Sequence, residues 1–133
     1  MALMLLDTYG LVYRAFFALP PLNTSHGTPI SAVYGFTMML NKLIVDEKPT
    51  HIIAAFDKGM PAERLARFAD YKAQRRTMPD DLRSQFSIVR RVLETHRIPI
   101  VEVEGQEADD VIATLARLAQ ESAESTIVVT GDL

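Results

Sequence analysis

Six acids in this sequence draw attention by where they fall. Asp7 closes an apolar run, Ala2–Leu6, and Asp57 closes another, His51–Phe56. Glu107, Asp109 and Asp110 follow a third run, Ile98–Val103, after a short turn containing Gly105. Asp132 follows a fourth, Thr126–Thr130. Carboxylates gathered in one place repel, and their ionisation is suppressed unless a cation stands among them. The chain has no cysteine, and its three histidines, His26, His51 and His96, are scattered. Oxygen donors without thiolate or imidazole suit Mg²⁺ or Mn²⁺ rather than zinc. Glu107 and Asp110 are i and i+3 and share a helix face, which supports a common site; the plainer reading is that Asp109 and Asp110 are simply first-turn acids on an exposed helix, favoured by its dipole. Acids at all four run ends favour a site.

A second feature has the opposite sign. The net charge is −3, yet residues 58–91 hold nine of the fourteen basic side chains and only four of the seventeen acids. That window is +5 and the remainder −8, so a basic segment is set into an acidic body. A solvated helical face is the bland account of such a run, and a local anion-binding surface is the functional one. Metal ions activate water and stabilise the oxygens of a phosphoryl displacement, while Lys and Arg hold the phosphate. The two features together point to hydrolysis of nucleic-acid phosphodiesters. No Ser-His-Asp relay is visible. Gly27, Gly35 and Gly59 lie too far apart to form a phosphate-binding loop.

These side chains need a frame. The four apolar runs are short enough to be buried strands, and helical periodicities lie between them. Ile30–Val45 places Val33, Phe36, Thr37, Leu40, Leu43 and Ile44 on one stripe. Asp81–Glu94 does so with Leu82, Phe86, Val89 and Leu93, and residues 107–119 with Ala108, Val111, Ile112, Leu115 and Leu118. Strands alternating with helices predict an α/β domain with a mainly parallel sheet and flanking helices. Parallel strands end on the same side, so the acids are expected at one sheet edge, where open α/β sheets bind ligands. Leu19–Pro29, with three prolines, reads as a loop. Lys58–Pro79 reads as a basic excursion from the sheet, with Glu63–Tyr71 as its helical part.

Length and composition set outer bounds. The 133 residues, 48% hydrophobic and 23% charged, suit one domain with a real core and exclude disorder. No apolar run approaches the ~20 residues of a membrane span. Met1–Leu6 lacks a basic n-region, so no secretory signal is expected, and the absence of cysteine fits a reducing cytosol.

The motifs resemble a known family. Leu5-Leu6-Asp7, Tyr13-Arg14-Ala15-Phe16-Phe17-Ala18-Leu19-Pro20, Ala32-Val33-Tyr34-Gly35-Phe36, Lys48-Pro49-Thr50-His51 and Ala55-Phe56-Asp57 come first. Tyr71-Lys72-Ala73-Gln74-Arg75, Met78-Pro79-Asp80-Asp81-Leu82-Arg83, Glu104-Gly105-Gln106-Glu107-Ala108-Asp109-Asp110 and Val129-Thr130-Gly131-Asp132 complete the series. In this order they resemble the 5′-nuclease domain at the amino terminus of bacterial DNA polymerase I, within the flap endonuclease superfamily. The resemblance implies a PIN-like core with a basic helical arch at about residues 58–80. It implies a two-metal nuclease acting on 5′ ends or flaps of DNA in replication, repair and RNA primer removal. It further implies a bacterial, cytoplasmic, nucleoid-associated setting, with a polymerase domain downstream in the full-length protein. Asp7, Asp57, Glu107, Asp109, Asp110 and Asp132 match family metal-binding acids. Lys72 and Arg75 match arch residues that steer the scissile phosphate, and Arg14 matches a basic position near the active site. Arg76 is a backbone contact by charge alone. Tyr13, Phe16, Phe17, Tyr34 and Phe36 are expected in core or loop packing rather than as base-stacking platforms.

Two departures stand out. After the first Asp the family has Gly and then Ser or Asn, whereas Thr8-Tyr9-Gly10 follows here. The family also continues past Gly-Asp into a helix–hairpin–helix element and further metal acids, while this sequence stops at Leu133. The expectation is therefore the amino-terminal portion of the domain, an incomplete second metal site, impaired activity, and marginal folding or self-association through exposed apolar surface. A non-catalytic fragment that binds nucleic acid or contributes architecture is the competing reading. A phosphoacceptor receiver domain is a third; it expects the acid pair after the first strand, whereas here the pair follows the third.

Overall fold

The computed structural model describes residues 2–57, 80–122 and 125–130. Within them run β1 (Ala2–Asp7), α1 (Thr8–Ala18), α2 (Ser31–Glu47), β2 (His51–Phe56), α3 (Asp80–Thr95), β3 (Ile100–Glu102), α4 (Ala108–Glu121) and β4 (Ser125–Val129). The strands form one sheet in the order β3-β2-β1-β4, every neighbouring pair parallel. The predicted α/β architecture is the one observed. The basic excursion at 58–79, with its expected helical part, lies outside the described residues.

The central strand explains the layering. Successive side chains of a strand point to opposite faces. In β1, Met4 and Leu6 join a core with α1, α2 and α3, built around Val12, Phe36, Leu40, Leu82, Val89 and Leu93. Leu3 and Leu5 join a second core with α4 through Ala108, Val111, Ile112 and Ala119. A strand covered on both faces must be apolar at every position, as Ala2–Leu6 is. Phe36 and Leu40 are fully buried; each such side chain contributes about 1.5–3 kcal/mol by leaving water.

Helix α2 is held from a distance. Ile30, at its N-cap position, offers no capping side chain. The fully buried Gln85 of α3 does this instead. Its Oε1 accepts from the Ala32 and Val33 amides at 2.6 and 3.1 Å, and its Nε2 donates to the Asp81 carbonyl at 2.9 Å. At the other end Lys48 turns left-handed, φ 47°, its N–H bonding the Ile44 carbonyl, and Pro49 prevents continuation. Where α1 crosses α2, Gly35 permits the approach. A Cβ there would lie 2.8 Å from Leu19 Cδ1 and 3.1 Å from Ala15 Cβ.

Several details depart from expectation. Helix α1 begins directly after Asp7, where the sequence shows no turn. Strand β3 is shorter than Ile98–Val103. The Ile98 amide is used by the Leu93 carbonyl, Pro99 has no N–H, and the Val103 carbonyl accepts from Gln106 in the following turn. On α4, Ala119 is buried where Leu118 was expected; Leu118 is 49% exposed. Phe36 packs in the core, and Tyr13 and Phe16 pack against it. Phe17 and Tyr34 stand more than half exposed, Phe17 with its ring against those of Tyr13 and Phe16 at 4.7 and 5.1 Å.

Candidate functional site

The parallel sheet brings five of the six acids to its carboxyl edge, and the sixth, Asp132, lies outside the described residues. Asp7 ends β1, Asp57 follows β2, and Glu107, Asp109 and Asp110 open α4 after the β3 turn. Gly105 makes that turn at φ 77°, a conformation that suits glycine. Asp7 lies beside the border between β1 and β4, where the strand order reverses. Crevices form at such borders in α/β sheets.

The electrostatics of the acids differ. The Asp7 side chain is buried. Burial first, then the Asp109 carboxylate, then that of Asp57, pushes its pKa up to about 6. The Gly10 amide and the Thr130 hydroxyl pull the other way, the latter by donating to Asp7 Oδ2 at 3.4 Å. Asp57 is exposed, and its Oδ1 accepts the Ala108 amide at 2.6 Å, tying the end of β2 to the start of α4. Glu107 and Asp110 form a reciprocal capping box at that helix start, the Glu107 amide donating to Asp110 Oδ2 at 3.4 Å. These two residues therefore have a structural task at the start of α4. Asp109, between them, is exposed and acts on Asp7.

An all-oxygen donor set around a buried, repelled carboxylate fits a hard divalent cation, which would remove the repulsion raising Asp7. Among the described residues, no three acids or histidines are grouped closely enough to hold a metal ion. Asp132 lies outside the described residues, as do Lys72, Arg75 and Arg76. Arg14 is exposed on α1 and lines an open groove of about 440 Å³ with Leu11, Met39, Leu43, Val129 and Thr130. Thr130 thus joins Arg14's surroundings to Asp7.

Several residues of this edge escape a reading from sequence. Thr130 stands in a quoted motif, but nothing in its type announces a bond to Asp7. Tyr9 sits two residues after Asp7, its hydroxyl pushed above the ordinary tyrosine value by burial, then by Tyr13 and Asp57, with Arg83 opposing. Arg90, counted in the basic window, is absorbed by the fold: its guanidinium lies 4.7 Å over the Phe56 ring and bonds Glu102 at 3.2 Å.

Comparison with known proteins identifies the family and the fold. The model of the 5′-3′ exonuclease N-terminal, resolvase-like domain matches residues 2–133. DNA polymerase I of Geobacillus stearothermophilus is 46% identical over 130 residues, covering 98% of this chain and 15% of the polymerase. A 5′-3′ exonuclease of Aquifex aeolicus is 47% identical over 114 residues, 86% of this chain and 39% of that protein. A crystal structure of the bacteriophage T5 D15 flap endonuclease in complex with DNA and metal ions superimposes with a TM-score of 0.65 at 23% identity, over 99% of this chain and 49% of the phage chain. At that identity the likeness is one of fold. The chain belongs to the 5′-3′ exonuclease N-terminal, resolvase-like domain family.

Proposed function

We propose that this chain is the amino-terminal part of a metal-dependent 5′-nuclease that hydrolyses phosphodiester bonds at 5′ ends or flaps of DNA. The observation that carries this reading is Asp7: a buried carboxylate at the strand-order reversal, raised to about 6 by burial and by Asp109 and Asp57. Such a group is held in readiness for a cation. Asp7, Asp57, Glu107, Asp109, Asp110 and Asp132 are the acids proposed to ligate it, although among the described residues no three stand close enough to hold an ion by themselves. When bound, Mg²⁺ or Mn²⁺ supplies Lewis-acid stabilisation and an activated water. The chain's own part is to fix Asp57 against α4, to keep Asp7 dry beside Thr130, and to present phosphate to Arg14, Lys72 and Arg75, with Arg76 on the backbone.

The chain spans 15% of the length of the Geobacillus polymerase and 39% of that of the Aquifex exonuclease. A downstream polymerase domain, a role in replication and repair, and a bacterial cytoplasmic, nucleoid-associated setting belong to the same proposal. The competing reading, a non-catalytic DNA-binding piece, is favoured by the capping box, which gives Glu107 and Asp110 a structural task.

Cleavage of a labelled 5′-flap duplex separates the two. The nuclease reading expects cutting near the flap junction with Mg²⁺ or Mn²⁺. It expects none with chelator and none in a variant carrying Asp109→Asn and Asp110→Asn. Absence of metal-dependent cutting by the folded chain supports the non-catalytic reading.

A further inference from the structure

We propose that Tyr9 is a positioning residue that clamps α3 to the strand end bearing Asp7. Tyr9 lies in the first turn of α1, two residues past Asp7. Its ring stacks on Phe86 of α3, with centroids 5.1 Å apart and planes at 21°, and on Tyr13 of its own helix at 6.3 Å and 15°. Both separations are those of favourable aromatic pairs.

The neighbouring residue makes this contact consequential. Gln85, next to Phe86, carries the amide that bonds the first turn of α2. Residues 85 and 86 therefore fasten α3 at one level to two helices, Gln85 to α2 and Phe86 to α1. From that level α3 runs back only six residues, about 9 Å at 1.5 Å per residue, to its start at Asp80. Residues 58–79, with Lys72, Arg75 and Arg76, directly precede Asp80 in the sequence. The Tyr9–Phe86 stack thus sets where α3 starts relative to Asp7, and with it the point at which the chain returns from the basic segment.

The mechanical part of this inference stands by itself, and its consequence for DNA rests on the nuclease reading. The test is amide hydrogen exchange together with 5′-flap duplex binding in chelator, for Tyr9→Phe, Tyr9→Asn and Phe86→Leu. Tyr9→Asn is expected to speed exchange along 83–89 about three- to tenfold, the factor an aromatic pair is worth. The amides of Leu3–Leu6 keep their protection, and Tyr9→Phe restores wild-type exchange. Flap binding weakens several-fold in Tyr9→Asn and Phe86→Leu but not in Tyr9→Phe. Should Tyr9→Asn lose protection throughout the sheet, Phe86→Leu is read by the same criteria. Wild-type exchange in α3 of the Asn variant overturns the clamp. Loosened exchange with unchanged flap affinity overturns its consequence for DNA. If the wild-type chain binds no flap DNA, the nuclease reading falls and exchange alone decides the clamp.

Discussion

The end of β1 and the start of α4 hold the same kind of side chain in opposite circumstances. At the start of α4, Glu107 and Asp110 satisfy each other's backbone amides, and the first-turn position suits their charge. At the end of β1, Asp7 is buried, faces Asp109 and Asp57, and among the described residues is offered the Thr130 hydroxyl at 3.4 Å and the nearby Gly10 amide. One pair of acids contributes to folding. The other acid, buried and repelled, works against it. Asp57 stands between, with one oxygen committed to the Ala108 amide and the carboxylate still acting on Asp7.

This contrast can be broken by substitution. The largest effect is expected on catalysis: Asp7→Asn lowers metal-dependent flap cleavage at least ~100-fold, measured as single-turnover rates. Next comes stability. The unfolded value for Asp7 is the ordinary 3.8 and the folded value about 6, so the folded state binds the extra proton between them. Ion-free stability from this group is therefore full below about pH 4 and is lost as pH rises to about 6. The loss is on the order of 2–3 kcal/mol, read as the difference in urea midpoints between wild type and Asp7→Asn across that window. At pH 7 in chelator the Asn variant should be the more stable protein.

Glu107→Ala should act with the opposite sign, destabilising the chain by about 1 kcal/mol through loss of the cap. Thermal melts of the two variants side by side check that opposition directly. The smallest effect is expected for Thr130→Val. It removes one long hydrogen bond and raises the Asp7 titration midpoint by a few tenths of a unit, visible in carboxyl NMR.

Much of the frame is legible in sequence because hydrophobic period reports burial. Ala2–Leu6 is apolar at every position because both faces of β1 are covered, and Leu82, Phe86, Val89 and Leu93 mark one face of α3. The acidic edge follows from those runs, since parallel strands end together. Other features depend on partners remote in sequence. Helix α1 hides because Thr8, Tyr9 and Gly10 set up no helical period and its N-cap residue, Asp7, reads first as the end of an apolar strand. Gln85 reads as a polar residue on an amphipathic helix until the bare amides of Ala32 and Val33 are seen beside it. Tyr9 reads as an aromatic among others until Phe86 arrives against it. The division of labour among the six acids is likewise invisible in spacing, because 107 and 110 share a helix face in either reading.

The most direct test of the cation site is the titration of the Asp7 carboxyl carbon by NMR, without and with saturating Mg²⁺. A midpoint near 6 in the ion-free chain, falling below the ordinary aspartate value of ~3.9 when Mg²⁺ is present, is the result expected of a carboxylate built to hold a cation. A midpoint that Mg²⁺ leaves unmoved would contradict it and would make the acidic edge a structural feature of the fold.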